Sequence, residues 1–180
     1  MKVIDCSEQV EQPLTDAEDD LVKFDIEYLV ECLSRLRKTA FEIVDRPDVG
    51  ERNLPQPDYL IKDKQMGGFV AIEHIRFFES QERRKSEASQ VKQSGLYCGL
   101  VHFPTSEEIG KRLSEFFDKK INKRQFKGFA KCERILLARN RWLGININKF
   151  LEAEHYFKPQ RRSDCDHFYL IVARQLLEVF

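Results

Sequence analysis

Gln56-Pro57-Asp58-Tyr59-Leu60-Ile61, Lys62-Asp63-Lys64-Gln65-Met66-Gly67-Gly68 and Phe69-Val70-Ala71-Ile72-Glu73-His74-Ile75 are three consecutive segments whose reading decides the fold. The first reads as a strand over 57–61, the second as a hairpin-type turn, and the third as a strand that is apolar on both faces except at Glu73 and His74. A strand covered on both sides belongs in the middle of a sheet with helices packed against it. Two carboxylates stand where charge is expensive: Asp58 heads the first strand and Glu73 lies within the most apolar one. A desolvated carboxylate must be paired, hydrogen-bonded, neutralised or bound to a cation. If the two strands pair, the acids converge on one edge of the sheet. With a backbone carbonyl and waters they make a hard oxygen site of the kind magnesium prefers.

Upstream, Leu21, Phe24, Tyr28, Leu29, Cys32, Leu33 and Leu36 recur at steps of three and four, which predicts a helix from about Asp16 to Lys38. Thr15 and Asp16 offer an amino-terminal cap. Phe41-Glu42-Ile43-Val44-Asp45 alternates with period two and is closed by Arg46-Pro47, so it reads as a short strand before a loop over 46–56. Downstream, residues 79–94 are nearly all polar and read as an exposed helix or a mobile segment. Residues 96–103 read as a strand ended by Pro104. Thr105 or Ser106 caps a helix to about Ile121 with Ile109, Leu113, Phe116 and Phe117 on its inner stripe. Residues 134–138 predict a strand, 145–155 a helix, and 167–172 a last strand running towards Phe180. The order argues for an α/β domain, a mixed β-sheet layered between helices.

At 180 residues and 42% apolar side chains the chain is sized for one core. The expectation is an acidic tail over 1–15 and a single domain over 16–180. The longest uncharged apolar runs, such as Phe168–Val172, are strand-sized and cannot cross a bilayer. The amino end lacks the apolar middle of a secretory signal. Five widely spaced cysteines without a CxxC pair read as reduced thiols of a cytoplasmic protein.

Thirty cations cancel thirty carboxylates overall, but their distribution is uneven. Residues 1–30 carry nine carboxylates against Lys2 and Lys23, whereas residues 111–141 carry eleven cations against Glu115, Asp118 and Glu133. The basic stretch, with Lys111, Lys119, Lys120, Lys123, Arg124 and Lys127, reads either as a phosphate-tracking surface or as a solvated helix face plus linker. Phe126, Phe129 and Trp142 stand nearby for base stacking in the first case and for packing in the second.

Gln56-Pro57-Asp58-Tyr59-Leu60, a short connection and Val70-Ala71-Ile72-Glu73 together resemble the hairpin signature of the PD-(D/E)XK nuclease superfamily, preceded by a helix and a short strand. The resemblance spans roughly residues 18–76. It implies a restriction-endonuclease-like core of helix-strand-strand-strand-helix-strand, a magnesium or manganese ion, and nucleic acid, DNA or RNA, as substrate. Asp58 and Glu73 would be the metal-binding acids and the His74 carbonyl a third ligand. The sequence departs from the pattern at Ile75, where the motif has a lysine on the same face as the acid. Lys62 shares the face of Asp58 and is a candidate migrated lysine, although it lies about 13 Å along the strand. Arg76 is a further candidate. Such sites often take another glutamate from the first helix, and Glu31, which flanks the apolar stripe, fills that part unless it is a solvated charge. The departure at Ile75 keeps open a catalytically inactive module that binds nucleic acid or a protein partner. A homodimer also remains open.

Other motifs carry less. Alternation turns His74 away from Glu73, which favours a core or interface histidine. The four histidines lack zinc-ligand spacing. Carboxylates flanking Cys165 would raise its thiol pKa, which argues against a nucleophile. Gln93 and Tyr97 match a Gln-x-x-x-Tyr spacing, but Gly95 between them weakens the helix it needs. There is no Gly-rich phosphate loop and no Gly-x-Ser-x-Gly element.

Overall fold

The turn of the decisive hairpin is built on Asp63, whose Oδ1 accepts the backbone N–H groups of Gln65 and Met66 at 2.8 and 2.9 Å. The Thr39 hydroxyl donates to the same oxygen at 2.7 Å, and Gly67 supplies the left-handed conformation, with φ of 71°, that returns the chain. The computed structural model describes residues 1–4, 18–46, 56–77, 104–121, 126, 128–142 and 144–180. The expected polar segment over 79–94, the strand over 96–103, most of the loop over 46–56, and Gln93 and Tyr97 lie outside the described residues.

In chain order the described elements are β1 (Lys2–Ile4), α1 (Glu18–Arg37), β2 (Phe41–Asp45), β3 (Tyr59–Asp63), β4 (Phe69–Phe77), α2 (Ser106–Ile121), β5 (Glu133–Asn140), α3 (Ile147–Glu152), β6 (His167–Val172) and β7 (Gln175–Glu178). Seven strands form one mixed sheet in the order β1-β7-β6-β5-β4-β3-β2. β4, β5 and β6 run parallel, and the other neighbouring pairs are antiparallel. β4, read as a strand buried on both faces, lies between β3 and β5.

Alternation along the strands sorts the core into two layers. Val70, Ile72, Ile135, Leu137, Tyr169 and Ile171 face α1, which buries Ile26, Leu29, Cys32 and Leu33 against them. Ala71, Ile75, Phe77, Leu136, Ala138, Phe168 and Leu170 face α2 and α3, which contribute Ile109, Leu113, Phe117, Ile147 and Phe150. A side chain as large as Phe117, fully buried and ringed by Phe157, Phe168 and Phe180, stabilises the second layer by about 1.5–3 kcal/mol.

Caps set the limits of the helices. Thr105 Oγ1 accepts the Glu108 N–H at 3.2 Å while the Glu108 carboxylate accepts the Thr105 N–H at 2.7 Å, a reciprocal capping box that starts α2. Helix α1 stops where Lys38 takes φ of 54°. The expected helix over 145–155 is shorter: Asn146 caps α3 and, after Ala153, the chain continues as a 3-10 turn over Glu154–Tyr156.

Three expectations are corrected. Residues 2–4, placed in an acidic tail, form β1 and pair with β7; residues 5–15 lie outside the described residues. The carboxyl end is a hairpin rather than one strand, because Ala173, with φ of 55°, and Arg174 turn Val172 back onto Gln175. Cys32, expected as a reduced thiol, is disulfide-bonded, whereas Cys132 and Cys165 are free thiols. No helix among the described residues is long and apolar enough to cross a membrane.

Candidate metal centre

Tyr59 pairs with Ile72 across the β3–β4 ladder, so the next position on each strand sets Asp58 beside Glu73. Both lie on the α2 side of the sheet by alternation, Glu73 between Ala71 and Ile75 and opposite Leu136 of β5. Glu73 is 4% exposed. Asp58, just outside the strand, does not continue the ladder with its backbone. Its Oδ2 instead accepts the His74 N–H at 2.6 Å. In an antiparallel ladder the N–H and C=O of one residue face the same neighbour, so the His74 carbonyl is directed to the same strand edge as its amide. Two carboxylates and one carbonyl are oxygen donors suited to a hard divalent cation. A carboxylate has about four lone-pair positions and can accept several bonds at once. Among the described residues no group of three or more His, Cys, Asp or Glu side chains comes together as a metal site, and any cation here would depend on that carbonyl and on waters.

The other predicted site residues are not brought to this pair. Lys62 pairs with Phe69 at the turn end of the hairpin, and its ammonium lies 5.8 Å from that ring's centroid. It is not a migrated lysine, because the strand carries it away from Asp58 at about 3.3 Å per residue. Glu31 belongs to α1, which covers the opposite face of the sheet, and it forms an exposed i,i+4 ion pair with Arg35. Arg76 pairs in register with Arg139 and by alternation shares the α1 face. Ile75, at the position of the motif's lysine, is 4% exposed and part of the core.

Lys111 is exposed and bridged to Glu107, while Lys119 and Lys120 occupy the last turn of α2. Lys123, Arg124 and Lys127 lie outside the described residues. The candidate stacking aromatics are packed instead. Trp142 is buried in an edge-type contact with Phe77, Phe126 is buried, and Phe129 packs against the same cluster. Burial first of all pushes the Cys165 thiol up to about 12, which removes it as a nucleophile.

Sequence reasoning missed a buried charge network behind the site. His74 turns to the α1 side as alternation requires, and its Nε2–H donates to Asp25 Oδ2 at 2.8 Å. Arg139 of β5 donates through Nε to both oxygens of Asp25, at 2.7 and 2.8 Å, and through Nη2 to Oδ1. Side-chain exposure is zero for Asp25, 5% for His74 and 8% for Arg139. Burial by itself raises the Asp25 carboxyl, but the hydrogen bonds and charges of Arg139 and His74 outweigh it and hold the group below the ordinary carboxylate range. A signal was present: Asp25 stands four residues after Leu21 and four before Leu29, inside the apolar stripe. Arg139 likewise follows Ile135 and Leu137 on the α1 face of β5.

Two other places invite comparison and offer less. At the far end of the sheet Arg37 holds Glu133 with both Nη atoms, and the buried Tyr169 donates to Glu178 at 3.2 Å, a part-buried polar chain. An open depression of about 500 Å³ beside α3 is lined by Gly144, Ile145, Asn146, Ile147, Asn148, Val172, Ala173 and Gln175, none of them titratable. No protein-family model, no curated protein and no solved structure matches this chain.

Proposed function

We propose that this chain is a metal-dependent nuclease-like domain that hydrolyses phosphodiester bonds in nucleic acid, with Asp58 and Glu73 holding a magnesium or manganese ion. The observation that carries the reading is the 2.6 Å bond from the His74 amide to Asp58, which fastens one carboxylate to the strand that bears the other. The order α1-β2-β3-β4-α2-β5, with β4 parallel to β5, supports a restriction-endonuclease-like core among the described elements. When bound, the ion supplies a Lewis acid that neutralises developing charge on the phosphodiester. Asp58 and Glu73 orient it, and the apolar wall of Ala71, Ile75 and Leu136 excludes water from one side of Glu73.

A second reading, a catalytically silent nucleic-acid-binding module, is favoured by one specific observation. Ile75 brings neither charge nor hydrogen bond to the place of the motif's lysine, and its burial closes that place to solvent. Incubation with single- and double-stranded DNA and RNA in magnesium separates the two. We expect cleavage that Asp58→Ala and Glu73→Ala each abolish while thermal unfolding stays cooperative. Cleavage that survives either substitution refutes the site. Binding without cleavage by the wild type, whichever ion is used, establishes the silent module.

A further inference from the structure

We infer that the Asp25–Arg139 pair on the α1 side of the sheet positions the Asp58–Glu73 site on the other side, acting through His74. This inference deepens the reading of that site and rests on it. His74 is bonded in two directions at once: its ring donates to Asp25 at 2.8 Å and its backbone amide donates to Asp58 at 2.6 Å. The amide belongs to the peptide that joins it to Glu73, so rotating this peptide would break the bond to Asp58 and redirect Glu73 together. Beyond the β4–β5 ladder that runs through this stretch, the rotation is resisted by the ring's bond to a carboxylate that Arg139 fixes from β5. Residues of α1 and β5, and Asp58 just before β3, therefore converge on one peptide of β4, and the Asp25, His74 and Arg139 side chains behind it are almost wholly shielded from water.

Packing alone does not require this arrangement. Val70 and Ile72 fill the same face of β4 with apolar side chains, and a buried ion network is often no more stabilising than apolar residues of equal volume. The network differs from them in being directional: a carboxylate with two bonded partners fixes the orientation of the imidazole and thereby of the backbone that carries it. Partners that orient a ligand from behind typically alter metal affinity when removed, even without touching the metal.

The test uses the whole chain and Mn²⁺ as probe. The double variant Asp25→Leu/Arg139→Met removes the pair without stranding a charge, so it is expected to unfold cooperatively near the wild-type temperature. We expect it to bind Mn²⁺ at least about tenfold more weakly in calorimetric or paramagnetic titrations. The His74 amide should lose protection from hydrogen exchange by a similar factor, more than the Ile72 amide beside it. Leu29→Ala opens a cavity in the same layer without touching the network, and it should change neither quantity by more than about twofold. If the double variant does not fold, His74→Leu replaces it with the same expectation for Mn²⁺. A folded variant that binds Mn²⁺ like the wild type, or a His74 amide as protected as before, overturns the inference. Wild-type protein that binds no Mn²⁺ sinks the metal reading instead. In that case loss of His74 protection in the double variant still supports the coupling of Asp25 to Asp58, and unchanged protection dismisses it.

Discussion

Arg139 is the residue on which the α1 layer is most exposed to a single substitution. Arg139→Ala leaves a fully buried Asp25 with His74 as its only partner among the described residues, and breaking a buried pair in this way costs about 3–5 kcal/mol at neutral pH. The cost should depend on pH with a definite sign. In the wild type the folded Asp25 carboxyl titrates below its ordinary value of 3.8, so its contribution to stability is present above that value and is lost as pH falls through the lower, folded one. Without the guanidinium, burial is the largest influence left and raises the folded pKa, so protonation relieves the variant while it weakens the wild type. The stability gap should therefore narrow as pH falls from about 7 towards 4. Urea melts at the two pH values measure it, and a gap that widens on acidification would remove the ion pair as its cause.

At the scale of elements, the close approach of α2 to the 3-10 turn at Glu154–Tyr156 depends on Gly110. A Cβ there would lie 2.5 Å from Tyr156 Cβ and 2.7 Å from the Ala153 carbonyl oxygen. Alanine favours a helix over glycine by about 1 kcal/mol, but overpacking against backbone costs about 1–3 kcal/mol, and here the obstacle includes a main-chain oxygen. Gly110→Ala should lower the melting temperature, and a rise would mean that the turn gives way freely. The same comparison of local and distant influences explains which elements were legible in the sequence. The hairpin turn over 62–68, the cap at Thr105 and most of the α1 stripe are written within a few residues and appear where they were read, although Leu36 of that stripe is exposed and Ile26, outside it, is fully buried. β1 was not legible, because three residues carry no period and only pairing with β7 makes them a strand. The β6–β7 turn has Ala173 at positive φ instead of the expected Gly or Asn. Asp58 and Glu73 stood out as carboxylates in apolar strands, whereas the Asp25–Arg139 bond joins residues 114 apart that no spacing rule connects.

For the whole molecule, the two faces of the sheet divide the work. The α1 face holds the buried Asp25–His74–Arg139 network, and the other face carries Asp58 and Glu73, the acids of the proposed site, together with α2 and its cations. A chain with no net charge gains nothing from overall attraction to a polyanion, so any affinity for nucleic acid must come from local clusters such as the last turn of α2. Lys119→Ala should therefore weaken binding of an oligonucleotide and flatten the dependence of log K on log salt by about 0.7–0.9 for each phosphate that is no longer neutralised. Lys111→Ala should flatten it less, because Glu107, bridged to that ammonium, already offsets its charge. Fluorescence anisotropy across a salt series at a fixed magnesium concentration reads both slopes. Equal slopes in the wild type and both variants would mean that phosphate is gripped elsewhere, and would return the basic helix to the role of a solvated face.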